Sequence, residues 1–182
     1  LPEIRQAFAD GDLNKASRLT AQNFNSPVPY EATREPEFRF GSYTTLGELC
    51  IETGLSPENV SGYRRALSID SAVATSSFDY EGTHYERRTF ISYPDNVMAV
   101  RFSADRKAAQ NLRIVYDKNP VSEGCFSQEG DGGLVFRGTL DNNGMAYVVR
   151  IAARAKGGEV RCENGAIVVK NADEVEIFLT NK

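Results

Sequence analysis

The chain has 182 residues, 41% of them hydrophobic, with 21 basic and 25 acidic side chains and a net charge of -4. That length supports one domain with a sizeable core and leaves little room for two. The acidic balance excludes a nucleic-acid binder, which neutralises phosphates with a basic excess. No apolar run approaches the roughly 20 residues of a bilayer span.

Leu1, Ile4 and Phe8 fall at helical spacing with Pro2 in a tolerated first-turn position, and Leu13, Ala16 and Leu19 resume the pattern after Gly11-Asp12. This predicts two short helices within residues 1–24, with Asp12 capping the second through its carboxylate. Residues 25–42 carry Pro27, Pro29 and Pro36 and read as an extended loop, because proline removes a backbone donor and cannot continue a helix.

From residue 43 to 182 the pattern changes to short strands. The expected strands are Thr44 to Glu52, Tyr63 to Asp70, Ala72 to Tyr80, His84 to Ser92, Val97 to Ala104 and Leu112 to Tyr116. They continue with Leu134 to Leu140, Met145 to Ala155, Glu159 to Cys162, Ala166 to Lys170 and Val175 to Thr180. Asn142-Asn143-Gly144, Gly157-Gly158 and Asn164-Gly165 supply the positive φ that tight hairpins require. Ser122 to Gly133 reads as the longest loop. No long helix intervenes to make parallel crossovers, so the sheets are expected to be antiparallel. The fold class is all-β: a large two-sheet antiparallel β-sandwich, supersandwich-like, forming a single domain with short N-terminal helices.

Chemistry-bearing residues are sparse. His84 is the only histidine, and no nucleophile elbow accompanies it, so it reads as a hydrogen-bonded structural histidine. Alternation places His84, Glu86, Arg88 and Phe90 on one face and Tyr85, Arg87, Thr89 and Ile91 on the other. A glycosidase needs two carboxylates roughly 5 to 10 Å apart. Asp70, Asp79, Glu81 and Asp95 instead fall at strand ends and turns, where acidic residues cap or face solvent. Asp131 among glycines lacks the alternating acidic ligands of a calcium loop. Asn59-Val60-Ser61 matches a glycosylation acceptor, a pattern common by chance.

Cys50, Cys125 and Cys162 have no Cys-x-x-Cys spacing and read as buried free thiols rather than a disulfide framework or a zinc site. Tyr30, Tyr43, Tyr63, Tyr85 and Tyr93 are available to stack on sugars, but the chain has no Trp, the best such platform. In the pairs Arg64-Arg65 and Arg87-Arg88, one arginine is expected to point out of the sheet and the other to reach a rim carboxylate. These residues give no catalytic, cofactor-binding or metal site, and no cofactor is expected.

Three segments in succession carry a family likeness: Gly41-Ser42-Tyr43-Thr44-Thr45-Leu46-Gly47-Glu48-Leu49; Tyr63-Arg64-Arg65-Ala66-Leu67-Ser68-Ile69-Asp70; and Tyr80-Glu81-Gly82-Thr83-His84-Tyr85-Glu86-Arg87-Arg88-Thr89-Phe90-Ile91-Ser92-Tyr93-Pro94-Asp95. Their order and spacing resemble the N-terminal domain of α-L-fucosidases of glycoside hydrolase family ninety-five, and the likeness spans most of the chain. It implies a non-catalytic β-sandwich that packs on an (α/α)₆ barrel carrying the inverting machinery, in a periplasmic or extracellular enzyme. It also implies a segment trimmed at both ends, with exposed sheet edges, a tendency to self-associate and no activity by itself. The chain departs from the family at Ser68 and Arg88. Those departures leave open an α-L-galactosidase-type parent, and a stand-alone carbohydrate-binding module that takes fucosylated glycans is the alternative of a different class.

Overall fold

The computed structural model describes residues 2–24, 45–140 and 144–182, in two compact units that divide after Ser42. The first unit is a helix pair, α1 (Pro2–Ala9) and α2 (Leu13–Phe24), as the spacing predicts. Gly11 makes the break with φ at +75°. Asp12 accepts the Lys15 amide at 3.0 Å and so caps α2. Ile4, Ala7 and Ala16 are buried. The proline-rich loop over residues 25–42 lies outside the described residues.

The second unit is all strand apart from one 3₁₀ turn, Pro57–Asn59. Its strands are β1 (Gly47–Glu52), β2 (Val60–Ser68), β3 (Val73–Tyr80), β4 (Thr83–Ser92), β5 (Val97–Ala104) and β6 (Gln110–Lys118). The rest are β7 (Ser122–Gln128), β8 (Gly133–Leu140), β9 (Ala146–Lys156), β10 (Glu159–Glu163), β11 (Ala166–Ala172) and β12 (Glu174–Asn181). Two sheets result, a four-stranded one ordered β1-β6-β11-β10 and an eight-stranded one ordered β2-β3-β4-β5-β12-β9-β8-β7. Every pairing is antiparallel.

Turn chemistry fixes the hairpins. Asn164-Gly165 (φ +48° and +74°) joins β10 to β11, and Glu81-Gly82 (φ +47° and +74°) joins β3 to β4. At Gly158, φ is +67° and an added Cβ would stand 2.2 Å from the Lys170 carbonyl oxygen, so only glycine fits that turn.

One sequence expectation is overturned. Ser122–Gln128 is a strand, β7, and not part of a long loop. Its residues are polar and glycine-containing, so they carry no strand periodicity. They are extended because β7 pairs along its whole length with β8, from Ser122↔Leu140 to Gln128↔Leu134. The loop shrinks to a tight connection in which the Glu129 amide donates to the Gly133 carbonyl at 2.8 Å.

The core is the layer between the sheets. Leu112 and Ile114 of β6 and Ile167 and Val169 of β11 meet Val100 and Phe102 of β5, Phe136 of β8, Val149 and Ile151 of β9, and Val175 and Ile177 of β12. At one end Phe136 packs with Phe126, Tyr116 and Tyr147, with centroids 4.9, 5.7 and 5.7 Å away. The Tyr116 hydroxyl donates to the Leu46 carbonyl at 2.6 Å, and Tyr147 donates to Ser122 Oγ at 2.8 Å, so the buried hydroxyls are satisfied. Burial holds the Tyr116 hydroxyl above its usual pKa.

The core does not reach β2, β3 and β4. None of their residues joins this cluster, although Tyr85 of β4 is itself buried, and all of β2 after Val60 is exposed. The large sheet therefore projects as a three-stranded wing.

This division of labour is measurable by urea denaturation. Ile114→Ala, at a fully buried position, is expected to cost about 2–5 kcal/mol. Leu67→Ala, on the wing and 69% exposed, is expected to change stability by less than about 0.5 kcal/mol.

Candidate functional site

Register sorts the wing's side chains onto two faces. The pairs Arg65↔Ser76, Ser76↔Arg87 and Arg87↔Phe102 run across β2 to β5 on the face that continues into the core. The pairs Arg64↔Ser77, Ser77↔Glu86 and Glu86↔Ser103 run across the opposite, outer face. The alternation read from sequence for β4 is therefore the one adopted: His84, Glu86, Arg88 and Phe90 lie outside, and Tyr85, Arg87, Thr89 and Ile91 inside.

The outer face neutralises its own charge. Arg88 Nε pairs with Glu86 at 2.8 Å, Arg101 Nε donates to Glu174 at 3.1 Å, and Lys156 reaches the same carboxylate at 3.4 Å. Arg101 holds the Glu174 carboxyl below its usual 4.5. His84 Nδ1 lies 2.7 Å from Asp79 Oδ1, and its backbone amide donates to Asp105 at 3.0 Å, so this histidine is an exposed structural partner.

The inner face of the wing is different. β2, β3 and β4 place no acidic side chain on it, only the cations Arg65 and Arg87 among apolar and hydroxyl groups such as Leu67, Phe78, Tyr85 and Ile91. Where this face meets the start of β6, a cleft of about 220 Å³ opens. Phe78 and Tyr85 form one wall, stacked at 5.3 Å with an 11° interplanar angle, and Phe102 and Leu112 form the floor. The Arg87 guanidinium lies 4.6 Å from the Phe102 ring centroid. Its Nε has no hydrogen-bond partner, and no described carboxylate pairs with it. Desolvation lowers the Arg87 pKa. Gln110, 2% exposed, faces the same cleft with its Nε2 also unpartnered.

This corrects the expectation for the arginine pairs. Arg88 reaches a carboxylate, as expected, but Arg87 turns inward onto an aromatic ring, because its neighbour across the strand is Phe102. Arg64 and Arg65 are both exposed. Gln110 gave no signal in the sequence, since a polar residue at a strand start reads as surface.

The remaining candidates are dispersed. Asp70 and Asp95 lie in turns at one end of the wing and Asp79 and Glu81 at the other, about 25 Å away along the strands. That separation is too large for a pair drawn from opposite ends. Asp95 accepts from the Ser92 hydroxyl. Among the described residues no group of three or more His, Cys, Asp or Glu is placed to hold a metal, and Asp131 is exposed. The cysteines are free, as read, but not buried: Cys125 is exposed on β7, and Cys50 and Cys162 are half-buried. Tyr85 is buried, Tyr63 and Tyr93 are exposed, and Tyr30 and Tyr43 lie outside the described residues. Asn59 is exposed in the 3₁₀ turn. No described helix is long and apolar enough to cross a membrane.

The described strands thus define an antiparallel two-sheet β-sandwich with one oversized sheet. The family model described as "Glycosyl hydrolase family 65, N-terminal domain" matches residues 1–182, and the chain belongs to that family. It is 29% identical over 182 residues to a protein named probable alpha-fucosidase A from Aspergillus niger, an alignment covering 98% of this chain and 21% of that protein. The chain thus spans about a fifth of the length of this curated relative. A putative kojibiose phosphorylase from human microbiome superposes on 68% of this chain and 19% of its own with a TM-score of 0.47 and 8% identity.

The His84–Asp79 contact has a direct test. The hydrogen bond that the protonated ring donates to Asp79 and the nearby negative charges raise the His84 pKa above its ordinary 6.5. The contribution to stability is therefore complete below 6.5 and is lost as pH rises through the folded-state value. With one histidine in the chain, an NMR titration of the imidazole C–H is unambiguous. Its midpoint is expected above 6.5 in the folded protein and lower in Asp79→Asn.

Proposed function

We propose that this chain is the non-catalytic β-sandwich segment of a glycoside hydrolase similar to α-L-fucosidases of family ninety-five, and that it packs on a helical catalytic barrel of the same parent protein. The observation that carries this reading is the wing. Its inner face exposes Leu67 (69%) and Ile91 (72%), beside Tyr63 (61%) and Tyr93 (95%), an apolar surface that a free-standing module has no reason to keep in water. The 29% identity to a probable alpha-fucosidase A, in a stretch one-fifth of that protein's length, supports a parent of that kind.

In this reading the sandwich braces the barrel and shapes one wall of its sugar pocket, while an inverting reaction takes place on residues of the barrel. The parent acts outside the cytoplasm, in the periplasm or the medium. The isolated chain self-associates through the wing and its edge strand β2, whose outer backbone groups have no strand partner among the described residues.

Aryl α-L-fucoside is the direct substrate for a test. The purified chain is expected to show no turnover, and the product of the complete coding sequence to hydrolyse it. Turnover by the chain alone overturns the reading. Leu67→Asp with Ile91→Asp is expected to leave the isolated chain folded and to lower the parent's activity by about tenfold or more, because charge placed at the centre of an apolar interface is costly. Titration of the isolated chain with fucosylated oligosaccharides separates this reading from a stand-alone module: saturable binding favours the module. Sedimentation velocity at rising concentration is expected to show dimers or larger species, and a strictly monomeric profile contradicts the edge assignment.

A further inference from the structure

We infer that Asn59 is a modification site, its side-chain amide carrying an N-linked glycan within Asn59-Val60-Ser61. The inference rests on the reading of a parent that acts outside the cytoplasm, and adds that its export route is a glycosylating one.

Of the twelve asparagines in the chain, Asn59 alone is followed two positions on by Ser or Thr with a residue other than proline between. The triplet is common by chance, and its surroundings are what make it a site. Attachment needs an accessible turn and an amide nitrogen that the fold does not use. Asn59 closes the 3₁₀ turn Pro57–Asn59, where its backbone amide donates to the Ser56 carbonyl at 3.2 Å. The chain becomes extended at Val60, with φ -83° and ψ 131°. Asn59 and Ser61 are both exposed, and among the described residues neither side chain has a hydrogen-bond partner. Other asparagines serve the fold. Asn96 and Asn119 donate to the carbonyls of Asn181 and Thr45, Asn111 accepts the Asn171 amide, and Asn164 and Asn171 take positive φ. Asn59 has no such role.

Its position leaves room for an oligosaccharide. Val60 and Ser61 begin the edge strand β2, opposite Tyr80 and Asp79 of β3, and no described strand follows on the other side. Leu67, on the face proposed to dock, pairs with Ala74, six residues along β3 from Tyr80. That is about 20 Å away at the rise of a strand. A glycan at the tip therefore leaves the docking face open.

In the transfer, the Asn59 amide nitrogen attacks the anomeric carbon of an oligosaccharide carried on a polyprenyl diphosphate. The new N–C bond forms as the C–O bond to the diphosphate breaks. The lipid diphosphate leaves with that electron pair, and the amide gives up one proton.

Secretion of the chain from a glycosylating yeast tests the site on a denaturing gel. One band shifted by a single glycan is expected, with the shift removed by peptide N-glycosidase. It is expected to be lost in Asn59→Gln and Ser61→Ala and kept in Ser61→Thr. Unmodified Asn59→Gln chain from a bacterial host is expected to unfold at the same urea concentration as unmodified wild type, because Asn59 makes no side-chain contact that the change would break. In the parent recovered from its own medium, mass spectrometry is expected to find the glycan on the peptide containing Asn59. A secreted chain with no shift overturns the site, as does a shift that persists in Asn59→Gln or a parent from the medium with Asn59 unmodified. None of these results touches the hydrolase reading, which stands or falls on turnover of the aryl α-L-fucoside.

Discussion

The contact between β6 and β11 of the small sheet and β5, β12, β9 and β8 of the large one is the interaction on which the strand unit depends. Ile114, Ile167, Val169, Val175 and Ile177 are all fully buried there, and removing this layer would leave both sheets with an apolar face in water. A four-stranded sheet cannot cover an eight-stranded one. The mismatch leaves β2 to β4 in register with the core strands yet beyond the cover that makes a core. Hydrogen bonds along the ladders hold the wing, with apolar burial confined to the end of β3 and β4 where Phe78 and Tyr85 stack. The wing is thus the part of the unit whose stability and exposure respond most to a partner.

Electrostatics separates the two faces of that wing. Outside, Arg88 pairs with Glu86 along β4, and Arg101 and Lys156 reach Glu174 from the strands on either side of β12. Such exposed pairs add little stability. Inside, Arg65 and Arg87 face an apolar surface with no acidic neighbour on β2 to β4. The same strands therefore present one face with paired charges and one whose cations have no acidic neighbour on β2 to β4. The docking to a catalytic domain proposed above uses the second face.

Much of the fold is legible in the sequence. Alternation gives eleven of the twelve strands, Asn-Gly and Gly-Gly give turns, and Asp12 marks the start of α2. β7 is not legible, because Ser-Glu-Gly-Cys-Phe-Ser-Gln has neither alternation nor propensity, and its conformation is imposed by pairing with β8. The site is less legible for a related reason. Alternation assigns Arg87 to the inner face, but what lies on that face is decided by β6, a strand of the other sheet that arrives later in the chain. Gln110 is hidden from sequence reasoning altogether, since its burial follows from where the small sheet begins. The family ninety-five likeness reads the same residues as a fucosidase-type sandwich, whereas the matching family model carries the name of family 65; both describe an N-terminal domain of a glycoside hydrolase.

The central claim is that the inner face of the wing is covered by the remainder of the parent protein while the outer face stays in water. Hydroxyl-radical footprinting of the isolated chain and of the complete parent measures this directly. The account requires strong protection of Tyr63, Leu67 and Ile91 in the parent, with His84 and Phe90 on the outer face labelled equally in both. Equal labelling of Leu67 and Ile91 in the two forms would contradict it.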